Sequence, residues 1–389
     1  MLRVMAFLTA GVFLTPAVQA QELDFSGAIG AEVVQFGDRG LAAQQGEKTQ
    51  ASLSFEAQMR WVSADRKTRA QFTGFGRWDG RDGNRTHLDL HEAYVAHNAG
   101  RFEVLGGVNT LFWGVTESRH LVDVINQRDT LEFSDREARL GQPMVRLSWQ
   151  FDCSVLSAIV MTGFRPMAFP GAEGRFGFGL PVDEGAATYE ANDGKDAVDV
   201  ALRFSGNYGA ADLGLSAFHG TAREPTLSPN GASTALVPHY ARISQVGLDA
   251  QLTLDAVLLK FEGIRRSGQG ATFNAAVLGA EYTFYQLFKS SSDLGVIGEY
   301  LYDGRDLTAP VTPFDDDVFV GVRWAANDIQ DTSLLLGATV DVNDHSTYLR
   351  AEFERRLGDS YLLEIAAQTV TNTHGGNPLH ALRNDGFVS

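Results

Sequence analysis

One segment constrains this chain more than any other: Ala51-Ser52-Leu53-Ser54-Phe55-Glu56-Ala57-Gln58-Met59-Arg60-Trp61. Every odd position from Ala51 to Trp61 is apolar, and every even position from Ser52 to Arg60 is polar. Successive side chains of a strand point to opposite faces, so one face wants lipid or core and the other wants water. The pattern recurs along almost the whole chain after residue 20. It predicts strands near 22–36, 49–62, 68–79, 87–97, 102–113, 143–151, 153–163 and 197–207. Further strands are expected near 211–221, 239–254, 257–266, 272–286, 293–302, 316–326, 332–342, 346–357 and 361–371, with another beginning near Phe387.

Residues 1–20 read as an export signal. Arg3 supplies the positive start, Val4 to Leu14 a short apolar stretch, and Ala17-Val18-Gln19-Ala20 a small-x-small cleavage site. Pro16 and the shortness of the apolar stretch argue against an anchoring helix. The region 21–389 then reads as a single unit, with no linker to divide it. It contains no apolar run long enough for a membrane-spanning helix. A closed barrel is the remaining way into a bilayer, because lipid offers no partner to open backbone groups.

The connections alternate in length. Ser63–Lys67, Asn98–Arg101, Asp152, Tyr208–Ala210, Asp255–Ala256 and Gly358–Ser360 are short. Gly37–Lys48, Gly114–Gln142, Phe164–Asp196, Ala222–Pro238, Asp303–Asp315 and Asn372–Asp385 are long. Short periplasmic turns and long extracellular loops are the signature of an outer-membrane barrel. The expected architecture is all-β, a transmembrane antiparallel up-and-down barrel of about 16–18 strands. All five Trp (Trp61, Trp78, Trp113, Trp149 and Trp324) fall in or at the ends of expected strands, which suits a girdle at the membrane–water interface.

Composition narrows the function. With 32 Lys+Arg against 48 Asp+Glu the net charge is −16, and removal of Arg3 with the signal makes it −17. Such an acidic chain makes a poor nucleic-acid binder. The single Cys153 excludes an internal disulfide framework and a Cys-rich metal site. No Gly-x-Ser-x-Gly elbow and no phosphate-binding Gly-x-x-x-x-Gly-Lys loop is present. His91-Glu92 with His97 has the wrong spacing for a zinc-protease helix and lies in a strand. Asp193-Gly194-Lys195-Asp196 and Asp315-Asp316-Asp317 read first as solvated loop acids and turn residues, with calcium binding through their oxygens in an external loop as the alternative. No catalytic residue and no cofactor is expected.

The stretch Glu92-Ala93-Tyr94-Val95, Gly106-Gly107-Val108, Phe112-Trp113-Gly114 and Asp123-Val124-Ile125-Asn126-x-x-Asp129 resembles bacterial outer-membrane, porin-like barrels. Those proteins carry a Trp-Gly followed by an Asp-Val-Ile-Asn segment. Phe164-Arg165-Pro166 and Phe169-Pro170 are similar to that group as well. The motifs span residues 88–170; elsewhere the likeness is architectural. Such barrels commonly end in a strand closed by an aromatic residue. This chain stops at Gly386-Phe387-Val388-Ser389, which reads as a last strand cut short.

The resemblance implies a channel for passive diffusion of small hydrophilic solutes across the bacterial outer membrane, with lipid around it and a homo-oligomer left open. A non-conducting barrel acting as receptor or scaffold is the alternative. Loop Gly114–Gln142 mixes charges with the apolar strip Leu121-Val122-x-Val124-Ile125. Folded into a lumen, it would cover the strip against the wall and turn Asp123, Arg128 and Asp129 to the water path. Glu117, Arg119, Asp123, Asn126, Arg128 and Asp129 are therefore the candidate constriction residues, and Arg136 lies in the same loop. The strand periodicity nominates Glu56, Arg60, Arg69, Arg77, Arg146, Arg203, Lys260, Glu262, Glu299, Arg323, Arg350 and Glu352 for the lumen wall. Their mixed signs announce no ion preference.

Overall fold

The chain, seen in a computed structural model, is a closed antiparallel β-barrel. Residues 3–7, 22–135, 137–177 and 180–389 are described. The cleavage site at Ala17–Ala20 and loop residue Arg136 lie outside them.

Seventeen long strands pair with their neighbours in chain order. They are Glu22–Phe36, Thr49–Val62, Thr68–Asp79, His87–Ala99, Phe102–Asn109, Gln142–Gln150, Ser154–Met161, Asp199–Tyr208, Ala211–Thr221, Arg242–Leu254, Val257–Ser267, Phe273–Phe284, Asp293–Asp303, Asp316–Ala325, Ser333–Asp341, Thr347–Leu357 and Tyr361–Thr371. Two short strands share the eighteenth position. Phe387 and Val388 pair with Phe36 and Gln35 on one side and with Gln368 and Ala367 on the other. Arg3–Phe7, part of the segment that reads as an export signal, pairs in the same seam with Ala28–Ala31 and with Tyr361–Glu364. Phe387–Val388 join the first long strand to the last and close the sheet, as a barrel in lipid requires.

The alternation sorts faces as the sequence predicts. Leu53, Phe55, Val320, Leu278 and Tyr300 stand exposed on the outer wall. Their neighbours Ser52, Ser54, Phe319, Val277 and Glu299 are buried inside. All twelve lumen-wall candidates lie on inward-facing register positions. A β-bulge interrupts the pattern once: Thr73 faces Glu92 and Gly74 faces Leu90, so His91 is an extra residue. The bulge re-aims side chains there. It lets His91 stack on inward-facing Phe75, ring centroids 5.1 Å apart, while Glu92 still receives Thr73 Oγ1.

Three expectations need correction. The strand expected over 102–113 ends at Asn109, because the chain turns into the lumen there. The strand expected from 239 begins at Arg242, and Leu236–Tyr240 instead joins Thr226–Pro229 and Thr188–Tyr189 in a small separate sheet at the long-loop end. Trp113 does not belong to the girdle. It is 8% exposed, packed among buried residues with the Arg203 guanidinium 5.1 Å from its ring centre. Trp78 and Trp149 remain exposed on the outside.

Candidate functional site

Residues 110–141 leave the strand at Asn109 and cross the lumen before Gln142 resumes the wall. The apolar strip drives the loop inward. Leu121, Val122, Val124 and Ile125 are at most 4% exposed and pack with Ile243, Ile264, Phe218 and Ile297 of the wall. Four side chains of this size buried against the wall are worth on the order of 1.5–3 kcal/mol each.

Polar groups fix where the loop sits. Wall residue Glu262 is fully buried, and its Oε1 accepts the N–H of Val115 at 2.7 Å and of Thr116 at 3.1 Å, plus the Thr116 hydroxyl at 2.8 Å. Its Oε2 accepts the N–H of Leu121 at 2.7 Å and of Val122 at 3.2 Å. Glu299 accepts the N–H of Glu117 at 2.7 Å and of Ser118 at 2.8 Å. Two wall carboxylates thus satisfy loop amides that would otherwise be buried without partners. Gly114, at φ +144°, lets the loop close on this anchor: a Cβ there would lie 2.9 Å from Glu262 Oε1 and from His120 Nδ1. The glycine of the Trp-Gly pair is therefore a close-approach requirement.

The far side is held by arginines. Arg77 donates through Nε to Glu132 Oε1 at 2.6 Å and through Nη1 to Glu32 at 2.8 Å. Arg85 donates to the Leu131 carbonyl at 2.8 Å. Arg223, from another long loop, donates to the Ile125 carbonyl at 2.7 Å.

The candidate constriction residues fall into two groups. Glu117 pairs with Arg350 at 2.7 Å and with Arg323. Arg119 pairs with Asp303 at 2.9 Å, and Arg128 is exposed. Asp123, Asn126 and Asp129 are buried instead. The Asp123 and Asp129 side chains are 3% and 2% exposed, so Asp129 does not face the water path and Asp123 only borders the cavity on the long-loop side. Asp123 is taken up by Arg139 at 2.7 Å. Asn126 works inside the loop, accepting from Leu111 N and donating to the Asn109 and Leu140 carbonyls. The Asp-Val-Ile-Asn segment thus organises the loop from within, while Asp123, Val124 and Asn126 also border a cavity on the long-loop side.

Of the wall candidates, Glu262, Glu299, Arg77, Arg203, Arg323 and Arg350 touch the loop. Arg203 binds Asp249 at 2.8 Å, Lys260 stands 3.4 Å from Glu281, and Arg69 and Arg146 share Glu103. Glu56 accepts from Gln58 at 2.6 Å, Arg60 is exposed to the lumen, and Glu352 stands 3.6 Å from Arg350.

Space remains on both sides of the loop. A cavity of about 300 Å³ opens toward the long loops, lined by five arginines (Arg119, Arg128, Arg223, Arg266, Arg305) and three acids (Asp123, Glu137, Glu224). A cavity of about 740 Å³ opens toward the short turns, lined by Glu117, Asp135, Glu137, Glu352, Glu354 and Glu364 against Arg139, Arg323 and Arg350. His120 and Glu137 line both, so they mark the neck. His120 Nε2 is 3.3 Å from Glu137 Oε1 and its Nδ1 is 3.7 Å from Glu262 Oε1. Burial pulls the imidazole pKa down, but the two carboxylates outweigh it and hold it up at about 9; the same pair keeps Glu137 down at about 2. The sequence places both among the loop's charges but does not single them out as constriction residues. Arg223, Glu224, Arg266 and Arg305 escaped the sequence reading, because separate long loops and strand ends bring them together.

No protein-family model matches the chain, and no curated protein matches it. Solved structures do. OmpT, an outer membrane protein of Vibrio cholerae in its trimer form, is 10% identical, with 90% of this chain and 100% of that one covered at a TM-score of 0.50. Wzi of Escherichia coli, an outer membrane protein involved in group 1 capsule assembly and described as a carbohydrate-binding β-barrel, is 10% identical, with 95% and 80% covered at 0.50. A Rhodopseudomonas blastica porin is 11% identical, with 90% and 100% covered at 0.45. At such identities the likeness concerns the fold alone: this chain has the closed-barrel architecture of bacterial outer-membrane proteins.

Proposed function

We propose that this chain is a bacterial outer-membrane channel for passive diffusion of small hydrophilic solutes, narrowed by the loop 110–141. In this reading residues 1–20 direct export and lipid surrounds the apolar outer wall. The observation that carries it is the loop itself. It is fastened across the lumen at Glu262, Glu299 and Arg77, and water-sized space persists above and below it. A barrel of this strand number is wide enough for an aqueous path. The function calls for no bond making or breaking; selection comes from neck size and charge.

The charge pattern refines the reading. An arginine-rich vestibule faces the long loops and an acid-rich basin faces the short turns. In a narrow passage of reduced dielectric, such charges act on a passing ion more strongly than on open surface. Solutes then meet opposite fields in succession, with Glu117, Arg323 and Arg350 below the neck. A homo-oligomer belongs to the proposal, because the V. cholerae neighbour is described as a trimer form.

Liposome swelling tests the function. Vesicles carrying the folded chain should swell in isotonic neutral sugars, at rates that fall steeply with sugar size. Absence of swelling with every sugar would favour the second reading, a non-conducting receptor or scaffold. That reading draws on the apolar packing of Leu121–Ile125, which fills one side of the lumen.

A further inference from the structure

Where the loop meets the strand His87–Ala99, three groups converge without completing a hydrogen-bond network. His87 Nδ1 is 3.0 Å from the Arg85 carbonyl, which receives its proton. In the neutral form of the ring the lone pair then lies on Nε2. That nitrogen is buried and points at Asp129 Oδ2, 3.8 Å away. Neither atom has a hydrogen-bond partner among the described residues. Asp129 is 4% exposed, and its other oxygen is already used by the Leu131 N–H at 3.1 Å. Glu132 completes the group: one donor atom from each of the three residues lies within 4.8 Å of the others.

With the ring neutral and the carboxylate ionised, two bare acceptors face each other and repel, and 3.8 Å is too long for a hydrogen bond between them. It is a suitable span for an ion between them. Donors bound at about 2.0–2.2 Å around a tetrahedral centre stand roughly 3.4 Å apart. Glu132 is held by Arg77, yet each carboxylate oxygen keeps a second lone pair, and the guanidinium fixes its direction as outer-shell partners of metal ligands do. Charge points the same way: around the site the carboxyls of Glu32, Asp79, Asp89, Asp129 and Glu132 outnumber the guanidiniums of Arg77, Arg85 and Arg165, so a cation there is electrostatically favoured.

We propose that His87, Asp129 and Glu132 form a binding site for a divalent transition-metal ion, one imidazole and two carboxylates in a zinc-type donor set, that fastens the lumen loop to the wall. Three protein ligands leave room for water on the ion. The ion would bridge the wall strand, through His87, and the loop, through Asp129 and Glu132.

The test is metal uptake by the full chain folded in detergent micelles and stripped with chelator. Zinc titration should show one equivalent bound, with cobalt giving the visible absorption of a low-coordinate site. His87→Ala and Asp129→Asn should each weaken zinc binding by tenfold or more. His219→Ala, on an exposed histidine paired with Ser244, should leave it unchanged. Zinc should raise the melting temperature of the wild type and not that of His87→Ala. No uptake in a wild type that migrates as folded on gels would overturn the proposal and leave a plain ion pair. So would uptake of equal strength in both variants.

Discussion

Glu262→Gln is the sharpest perturbation the fold offers. The carboxylate accepts five hydrogen bonds from the loop, three on Oε1 and two on Oε2. The amide replaces one oxygen with a donor. In the less damaging orientation the NH₂ faces Leu121 and Val122, so two charge-assisted bonds are lost and two N–H groups meet a donor. At about 1.5–3 kcal/mol for each bond to a charged group, docking weakens by about 3–6 kcal/mol. Each 1.4 kcal/mol is about tenfold, so the undocked loop gains roughly 100-fold to 10,000-fold in population. The wall is spared, because the residue's backbone pairing with Asp249 and Val277 is untouched. The barrel should keep its heat-modifiable gel mobility. Single-channel current should become larger and noisier, and trypsin should cut after Arg119, a site the docked loop protects. Unchanged current noise together with an unchanged tryptic pattern would refute the anchoring argument.

Other outcomes follow from the same geometry. Phe55→Arg and Val320→Arg, on the outer face, should each cost about 2–4 kcal/mol in vesicle folding titrations, while Gln58→Arg on the inner face should cost far less. Because His120 is held charged up to about pH 9, its pairing supports loop docking fully below its unfolded value of 6.5 and loses that support as pH rises past 9. Reversal potentials should therefore move toward cations between pH 8 and 10, and His120→Gln should abolish the movement. Glu117→Gln frees Arg323 and Arg350 to the basin, so the same measurement should move toward anions.

The wall was legible because period-two alternation is a local signal that lipid on one side and water on the other enforce. Residues 51–61 alone specify the faces, and the pairing with both neighbouring strands keeps them. The inward fold of the loop was legible from Leu121-Val122-x-Val124-Ile125, a strip that needs cover. The roles of its charges were not. Asp123 and Asp129 stand in the sequence like any solvated acids, and their burial depends on Arg139, 16 residues away, and His87 on another strand. Glu262 and Glu299 carried the correct face assignment, yet nothing local says that their partners are amides 141 and 181 residues distant. Trp113 was misplaced for the same reason. The girdle rule reads a Trp at a strand end, whereas the strand stops at Asn109 and the indole follows the loop inside.

Single-channel recording in planar bilayers tests the central claim most directly, on the full chain and on a variant lacking residues 119–136. The full chain should show discrete ohmic steps, and the deletion should raise the conductance of each step while gel mobility stays that of a folded barrel. Silent bilayers with both proteins, or steps of equal size, would contradict a channel narrowed by this loop.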